Sequence, residues 1–176
     1  MSNLGELETR LHQQALSVAV ILNSQDKKCV FAESCTGGKM ASAMTGVPGI
    51  SKHFCGSVVS YREASKTAWL EISESDLHEH SAESTQTTAT MAINVLRQTP
   101  ESDFSVAITG HLGPNVDDEV DGKIFVVIAR REPPPGEPES SIGVIIADHQ
   151  LTGSDRRERQ TEAACLALED FEKAIS

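Results

Sequence analysis

Segments with helical periodicity alternate with short apolar runs along this chain, and that alternation limits the possible folds more than any other feature. Apolar residues recur at intervals of three and four from Leu4 to Leu22, which predicts an amphipathic helix over about residues 4–23. Further helices are predicted in "KMASAM", "REASKTAWLEI", "SAESTQTTATMAINVLRQT" and, at the end of the chain, over about residues 155–175. The strand candidates are "KKCVFAE", "HFCGSVVSY", "FSVAIT", "KIFVVIA" and "SIGVIIADH". This alternation predicts an α/β fold.

The last two apolar runs predict an antiparallel hairpin. They are joined by "RREPPPGEPES", whose three consecutive prolines and flanking charges predict an exposed loop. The sequence contains no internal repeat and no linker, so residues 1–176 are expected to form a single domain. The expected architecture is a three-layer sandwich, in which helices cover both faces of a mixed, mostly parallel sheet.

Charge and composition exclude several classes of partner. A formal net charge of −11 argues against nucleic acid, because phosphate neutralisation needs clustered Lys and Arg. No apolar run approaches the roughly 20 residues that a membrane-spanning helix needs, so no membrane partner is expected. The four cysteines form no C-x-x-C pair, and the N-terminus lacks the regions of a secretory signal. A cytoplasmic location is therefore expected.

The stretch "FAESCTGGKMAS" joins the first predicted strand to a helix through a turn of small residues. Ser34, Cys35 and Thr36 are adjacent potential nucleophiles, followed by Gly37 and Gly38. The turn lacks the glycine spacing of a Walker A loop and of a dinucleotide-binding loop. Backbone N–H groups at the start of the helix can stabilise an oxyanion or bind an anion. The alternative is that Ser34 or Thr36 only caps the helix, which is a common role of these residues.

A serine nucleophile needs a base, and the sequence offers histidines and a lysine. His12 lies in a surface-like helix, and His78 and His80 lie in a polar segment predicted as an exposed turn. Lys66 follows the second predicted strand, five positions after Tyr61, and the strand end can bring both residues to the turn. If burial lowers its pKa, the neutral amine of Lys66 can act as the base. The alternative is a solvated surface lysine, which is the usual environment of this residue.

Two other kinds of site are not expected. Cys35 is the rival nucleophile, but the sequence places no cation near it that would lower the pKa of its thiol. The acidic run "NVDDEVDG" begins like an EF-hand loop, yet its twelfth position is Ile128 in place of the required glutamate. The run is therefore predicted to be a solvated loop, and no metal ion is expected.

Three motifs together resemble a known family. "ESCTGG", "VVSYREASK" and "AITGHLGP" are similar to the C-terminal domain of the competence/damage-inducible CinA proteins, which also occurs alone as nicotinamide mononucleotide deamidases of the PncC type. The resemblance runs from the first helix to the last, and a stand-alone form is expected. It implies a metal-free and cofactor-free amidohydrolase that converts a small nucleotide, nicotinamide mononucleotide, and water into nicotinate mononucleotide and ammonia, recycling pyridine nucleotides. A homodimer or larger homo-oligomer is expected by the same analogy.

The resemblance also implies roles for individual residues. Ser34 is expected to be the nucleophile, Lys66 the base that deprotonates it, and Tyr61 a residue that orients the pair. The turn from Thr36 to Gly38 would hold the oxyanion or the nucleotide phosphate through its N–H groups. The residues expected to contact or wall in the substrate are Cys35, Thr36, Gly37, Gly38, Thr109, Gly110, Gly113 and Arg156.

Three departures from the family pattern concern substrate recognition. Gly113 and Pro114 are followed by "NVDDEVD" in place of a glycine-rich run, and four acids there are expected to repel an anionic substrate. His111 occupies a position that is usually apolar. In the late basic motif "GSDRRER", Arg156 is the best match, whereas Arg159 is one position too close. The second hypothesis is therefore a re-specialised or catalytically silent member that binds a nucleotide-like ligand without hydrolysing nicotinamide mononucleotide.

Overall fold

Five strands form one mixed sheet in the computed structural model, which describes residues 3–132 and 141–176. In chain order the strands are β1 (Cys29–Glu33), β2 (Phe54–Val59), β3 (Phe104–Gly110), β4 (Lys123–Glu132) and β5 (Ser141–Gln150). Their spatial order is β2-β1-β3-β4-β5. β1 pairs in parallel with β2 and β3, whereas β4 is antiparallel to β3 and to β5. Among the described strands, only β4 therefore runs against the common direction.

Helices cover both faces of this sheet. In chain order they are α1 (Leu4–Gln25), α2 (Lys39–Thr45), α3 (Glu63–Leu70), α4 (Glu74–His80), α5 (Thr85–Gln98) and α6 (Arg156–Ile175). The alternation of side chains along β1 separates two apolar cores. Phe31 packs in the core of α1, α2 and α6, whereas Val30 and Ala32 pack in the core of α3, α4 and α5. The predicted three-layer α/β sandwich is confirmed.

Helices α5 and α6 start near the site and begin where the sequence predicts. The Ser84 hydroxyl accepts a hydrogen bond from the Thr87 N–H at 3.1 Å and so caps α5. A carboxylate oxygen of Asp155 accepts from the N–H groups of Arg157 and Glu158 at 2.8 and 3.0 Å at the start of α6. Both caps satisfy N–H groups that have no partner within the helix, which explains why the helices begin there.

One predicted turn is wrong, and one predicted loop falls outside the described residues. The segment with His78 and His80 forms helix α4, capped by Ser73, whose hydroxyl accepts from the Asp76 N–H at 3.0 Å. Its single buried apolar residue, Leu77, gives no helical periodicity, which is why the sequence did not reveal the helix. The antiparallel pairing of β4 with β5 agrees with the predicted hairpin, whereas its proline-rich connection, residues 133–140, lies outside the described residues.

The carboxyl ends of β1, β2 and β3 meet at one edge of the sheet, where ligand sites of α/β proteins commonly form. β1 passes directly into the turn at Ser34, whose N–H donates to the Ile108 carbonyl of β3 at 3.2 Å. On the other side, the Ser60 N–H donates to the Glu33 carbonyl at 2.8 Å. The small-residue turn is therefore fixed between the ends of β2 and β3.

Candidate active site

The buried amine of Lys66 contacts the hydroxyl of Ser34. Lys66 Nζ donates hydrogen bonds to Ser34 Oγ at 3.0 Å and to the Ser60 carbonyl at 3.2 Å. Lys66 is 0% exposed and Ser34 is 4% exposed. Ser34 comes from the turn after β1, and Lys66 comes from α3, 32 residues later. The predicted pair is therefore assembled, and the alternative of a solvated lysine is wrong.

Burial lowers the pKa of Lys66 below its ordinary value of 10.5. Desolvation is the largest effect, because it disfavours the charged form of the amine. The negative charge of Glu83 opposes it and raises the pKa, followed by smaller contributions from Cys35 and Glu63. A lysine with a lowered pKa reaches its neutral form more easily, and only the neutral amine can accept the Ser34 proton.

The other two candidate nucleophiles of the turn, the Cys35 thiol and the Thr36 hydroxyl, are not activated for attack. Burial raises the pKa of the Cys35 thiol to about 12, so this group stays protonated at neutral pH. The Thr36 hydroxyl donates to a carboxylate oxygen of Glu33 at 2.8 Å. Helix α2 has Gly38 at its N-cap, without a side-chain cap, so the alternative that Ser34 or Thr36 caps this helix is wrong. Ser34 is the candidate nucleophile that touches a base.

A carboxylate that the sequence analysis did not single out holds the turn in shape. Glu33 is fully buried, and its two oxygens accept from the N–H groups of Gly38, Met40 and Ala41 at 2.9 to 3.1 Å. The hydroxyls of Thr36 and Ser57 donate to it at 2.8 and 3.1 Å. The chain thus supplies its own anion to the N-terminus of α2, where an external anion would otherwise bind.

This arrangement changes the expectation for the N–H groups of the turn. The N–H of Gly38 donates to Glu33 at 3.1 Å, and that of Gly37 donates to the Ser34 carbonyl at 3.1 Å. Neither group is free to bind an oxyanion or a phosphate, so the expected role of these two glycines as anion donors is wrong. The N–H of Thr36 donates to no acceptor in the described part of the chain. The same holds for the N–H of Cys35, so these two N–H groups of the turn remain as candidate oxyanion donors.

Ser34 opens into a cavity of about 310 Å³. Its lining residues come from the turn, from the segments after β2 and α4, from the loop after β3 and from the start of α6: Ser34, Cys35, Tyr61, Glu83, Gly110, His111, Leu112, Gly113, Pro114, Val116 and Arg156. A neighbouring cavity of about 470 Å³ shares Tyr61 and Glu83 and includes Lys66. We call the first of these the Ser34 cavity and the second the Lys66 cavity. Four of the predicted substrate contacts, Cys35, Gly110, Gly113 and Arg156, line the Ser34 cavity.

Arg156 and Tyr61 contact each other at the Ser34 cavity. The guanidinium of Arg156 donates to the Tyr61 hydroxyl at 2.7 Å and also to the Gly113 carbonyl. The described hydrogen bonds include none between Tyr61 and either Ser34 or Lys66. From this segment it is the carbonyl of Ser60 that contacts Lys66. The structure therefore places Tyr61 at the cavity but assigns the contact with the lysine to its neighbour.

Thr109 and Gly110 lie beside the site in different ways. Thr109 is fully buried, shares a hydrogen bond of 2.7 Å with the Thr88 hydroxyl, and does not line the Ser34 cavity. Gly110 does line it, and a Cβ added there would lie 2.6 Å from Cγ2 of Ile124. Gly110 is thus needed for the close approach of β3 to β4, whereas Thr109 connects the end of β3 to α5 through its hydrogen bond with Thr88.

The acidic loop lies next to the Ser34 cavity. Val116 lines this cavity, and Asp118 and Asp121 line an adjoining cavity of about 360 Å³ together with Arg156 and Arg159. Asp121 forms an ion pair with Arg159 at 2.6 Å, and the hydrogen bond in this pair lowers the pKa of Asp121. Arg159 therefore balances the charge of Asp121, and this ion pair competes with any contact between Arg159 and a substrate phosphate.

Histidines and metal-ligand clusters do not contribute to the Ser34–Lys66 pair. His53, the one buried histidine among the described residues, contacts the Lys27 carbonyl through Nδ1 at 2.9 Å and lies before β2, at the end of the strands opposite to the turn. His149 contacts Asp170 at 2.6 Å, whereas His111 lines the Ser34 cavity. The described residues contain no group of three or more His, Cys, Asp or Glu that could hold a metal ion. Nor do they contain a helix with the length and apolarity to cross a bilayer.

The fold and the site define a class of protein: a three-layer α/β domain with a buried serine–lysine pair at the carboxyl edge of its parallel strands. Residues 11–175 match the family described as the CinA C-terminal domain. The chain belongs to this family, which confirms the resemblance drawn from the three motifs.

The relatives agree with this assignment. A CinA-like protein of Flavobacterium psychrophilum is 46% identical over 101 residues, which cover 56% of this chain and 24% of that protein. A CinA-like protein of Solibacter usitatus is 33% identical over 150 residues, which cover 84% of this chain and 33% of that protein. The chain thus matches about a quarter to a third of the length of these relatives.

Solved structures show the same fold. The competence/damage-inducible protein CihA from Agrobacterium tumefaciens superposes with a TM-score of 0.82 at 26% identity, covering 94% of this chain and 95% of that chain. A CinA superfamily protein from Klebsiella pneumoniae gives a TM-score of 0.82 at 22% identity, covering 94% and 97%. Both agree with the single-domain, five-stranded mixed sheet described above.

Proposed function

We propose that this domain hydrolyses the carboxamide of nicotinamide mononucleotide to nicotinate mononucleotide and ammonia. The observation that carries the proposal is the 3.0 Å hydrogen bond between the buried amine of Lys66 and the hydroxyl of Ser34. A serine becomes a nucleophile when a neighbouring base takes its proton, and a lysine whose pKa is lowered by burial is suited to that task. The choice of substrate rests on the resemblance to the deamidases of the family.

In the proposed first half-reaction, the neutral amine of Lys66 takes the hydroxyl proton of Ser34, and Oγ attacks the carboxamide carbon. The N–H groups of Cys35 and Thr36, which have no acceptor among the described residues, are the proposed donors to the oxyanion. The Lys66 ammonium then returns its proton to the amide nitrogen, the C–N bond breaks, and ammonia leaves. An ester between Ser34 and the nicotinoyl group remains.

The second half-reaction reverses the proton traffic. A water molecule gives a proton to the neutral Lys66 amine while its oxygen attacks the ester carbon. The bond to Ser34 Oγ breaks, and Lys66 returns the proton to this oxygen. Nicotinate mononucleotide leaves, and the serine–lysine pair is restored. At the other end of the substrate, Arg156 is the proposed contact of the phosphate or ribose, because it is a cation that lines the Ser34 cavity.

A second candidate is a domain that binds a related ligand but does not hydrolyse nicotinamide mononucleotide. The acidic loop favours it, because Asp121 already pairs with Arg159 and Asp118 adds negative charge to the adjoining cavity. A ligand that carries less negative charge than a nucleotide phosphate at the end remote from its carboxamide would be repelled less by this cavity. A cytoplasmic location, pyridine nucleotide recycling and a homo-oligomeric state complete the proposal.

The test is ammonia release from nicotinamide mononucleotide by the wild type and by Ser34→Ala and Lys66→Ala. Each substitution is expected to lower kcat by about 10³-fold or more, as removal of a nucleophile or its base does. Ser42→Ala and Lys52→Ala are matched controls, because both side chains are exposed and lie outside the site. Wild-type release that either active-site variant retains would refute the serine–lysine mechanism. Binding without release by the wild type would select the second candidate.

A further inference from the structure

Glu83 places a carboxylate between the two cavities of the site. It lies in the connection from α4 to α5, directly before the cap residue Ser84. Its side chain is half-buried and lines both the Ser34 cavity and the Lys66 cavity. Any ligand that reaches Ser34 therefore approaches this carboxylate as well.

The carboxylate of Glu83 has no partner in the described part of the protein. Only its backbone carbonyl accepts a hydrogen bond there, from the Ser81 hydroxyl at 3.3 Å. Its charge nevertheless acts on Lys66 more strongly than any other charge, which places it within electrostatic reach of the reactive amine. A half-buried anion without a donor is costly, so a donor or a positive charge on a bound ligand would be stabilised there.

Among the described residues, no other group of the Ser34 cavity forms an ion pair or a hydrogen bond with the Glu83 carboxylate. The thiol of Cys35 is neutral, because burial raises its pKa to about 12. The guanidinium of Arg156 is directed to the Tyr61 hydroxyl and the Gly113 carbonyl. Lys66 has to be neutral to start the proposed reaction. Glu83 therefore remains an anion without a contacting counter-charge in the described residues, while Arg156 is the proposed contact of the phosphate or ribose at the other end of the substrate.

We propose that Glu83 is a specificity-determining residue that favours carboxamides carried on a cationic ring over those carried on a neutral ring. This inference rests on the proposed function and names the feature of the substrate that the site recognises. An N-ribosylated pyridine carboxamide has a positive charge on its ring nitrogen, two bonds away from the carbon that bears the carboxamide. The Glu83 carboxylate provides the counter-charge for that ring.

Two substrates that differ in the charge of the ring and share the rest of the molecule test the inference, because comparing the wild type with a variant cancels their intrinsic difference in reactivity. Nicotinamide mononucleotide has a cationic pyridinium ring, and its reduced dihydropyridine form has a neutral ring with the same carboxamide and phosphoribosyl groups. The ratio of kcat/KM for the cationic and the neutral substrate is measured for the wild type and for Glu83→Gln. Glu83→Gln is expected to lower this ratio about tenfold, which is the order expected for losing one charge at 6 to 8 Å in a partly buried site.

A control separates recognition of the ring from an effect through the lysine. Glu63 also raises the pKa of Lys66 and lines the Lys66 cavity, but it does not line the Ser34 cavity. Glu63→Gln is therefore expected to keep the wild-type ratio. A role of Glu83 in the structure or in the charge state of Lys66 alone would change both substrates equally and leave the ratio unchanged, which would overturn the inference.

Binding measurements keep the inference and the proposed function distinguishable. Calorimetry with Ser34→Ala, with and without Glu83→Gln, gives the affinities of both ligands without turnover. A preference for the cationic ligand that Glu83→Gln removes supports the inference even if the wild type releases no ammonia, in which case the proposed function alone fails. Hydrolysis by the wild type with an unchanged ratio in Glu83→Gln overturns the inference alone. Absence of both binding and hydrolysis overturns both.

Discussion

Replacing Glu33 by glutamine is expected to destabilise the domain strongly, although it changes only one oxygen to an amide nitrogen. One carboxylate oxygen of Glu33 accepts from Thr36, Gly38 and Met40, and the other accepts from Ala41 and Ser57. A glutamine keeps the first three of these bonds if its carbonyl takes the first position. Its NH₂ group then faces the Ala41 N–H, and two donors cannot form a hydrogen bond.

The loss of stability in Glu33→Gln follows from the hydrogen bonds that the substitution changes. A hydrogen bond to a charged group contributes about 1.5–3 kcal/mol, and a buried N–H left without an acceptor costs about 1–3 kcal/mol. Loss of the Ala41 bond, together with weakening of the remaining bonds to Glu33, therefore lowers the free energy of unfolding by about 3–5 kcal/mol. Single domains are stable by only about 5–15 kcal/mol, so this is a large fraction. For a chain of this size the Tm is expected to fall by roughly 10 °C.

Urea unfolding followed by circular dichroism measures this change, with Glu8→Gln as the control because Glu8 is exposed on α1. The control is expected to stay within about 0.5 kcal/mol of the wild type. Circular dichroism is the suitable signal, because Trp69 is 54% exposed and reports poorly on the core. A loss of less than about 1 kcal/mol in Glu33→Gln would show that the five bonds do not hold the turn and would refute the reasoning.

Two further predictions concern charge. Because burial lowers the pKa of Lys66, the unfolded chain binds more protons than the folded one between this lowered pKa and 10.5, so stability rises with pH across that window. Urea unfolding at several pH values is expected to show this rise in the wild type and to lose it in Lys66→Met; equal slopes in the two proteins would contradict the assignment. The kcat/KM is expected to rise with pH up to the lowered pKa of Lys66 and to level off above it, because only the neutral amine acts as the base. Asp121→Asn breaks the ion pair with Arg159 and is expected to lower the KM for nicotinamide mononucleotide about threefold at low salt and less at high salt. Initial rates at two ionic strengths measure this, and an unchanged or higher KM would show that the acidic loop does not act on the phosphate.

The strand and helix pattern was the part of the fold that the sequence predicted well, for a physical reason. Buried strands such as β3 and β4 contain short, mostly apolar runs with several β-branched residues, and α1 and α6 carry a regular apolar stripe. Helix α4 escaped detection, because a seven-residue helix with one buried apolar residue has no period to detect. Its existence depends on the Ser73 cap and on packing against α5.

The candidate site was only partly predictable. Ser34 and Lys66 are 32 residues apart, so the sequence offered Lys66 only as one possible base; the family resemblance selected the pair, and the fold shows the contact. Glu33 was missed because its role appears only when the turn folds back onto it. Glu83 was missed because the path from α4 to α5 decides which way its side chain faces. A sequence signal existed in both cases, because each acid is next to a feature that the sequence revealed. Glu33 directly precedes the small-residue turn, and Glu83 directly precedes the cap residue Ser84.

The burial of Ser34 has a practical consequence for chemical profiling. Ser34 is 4% exposed and is reached through a cavity of about 310 Å³. Tyr61, Arg156 and Gly113, which line that cavity, are tied together by hydrogen bonds. A fluorophosphonate, the usual reagent for finding serine hydrolases in cell extracts, has to enter this cavity and meet a neutral Lys66 before it can react with Ser34 Oγ. Labelling of this domain is therefore expected to be slower than that of a hydrolase whose serine is exposed, and small reagents are the better choice for profiling it.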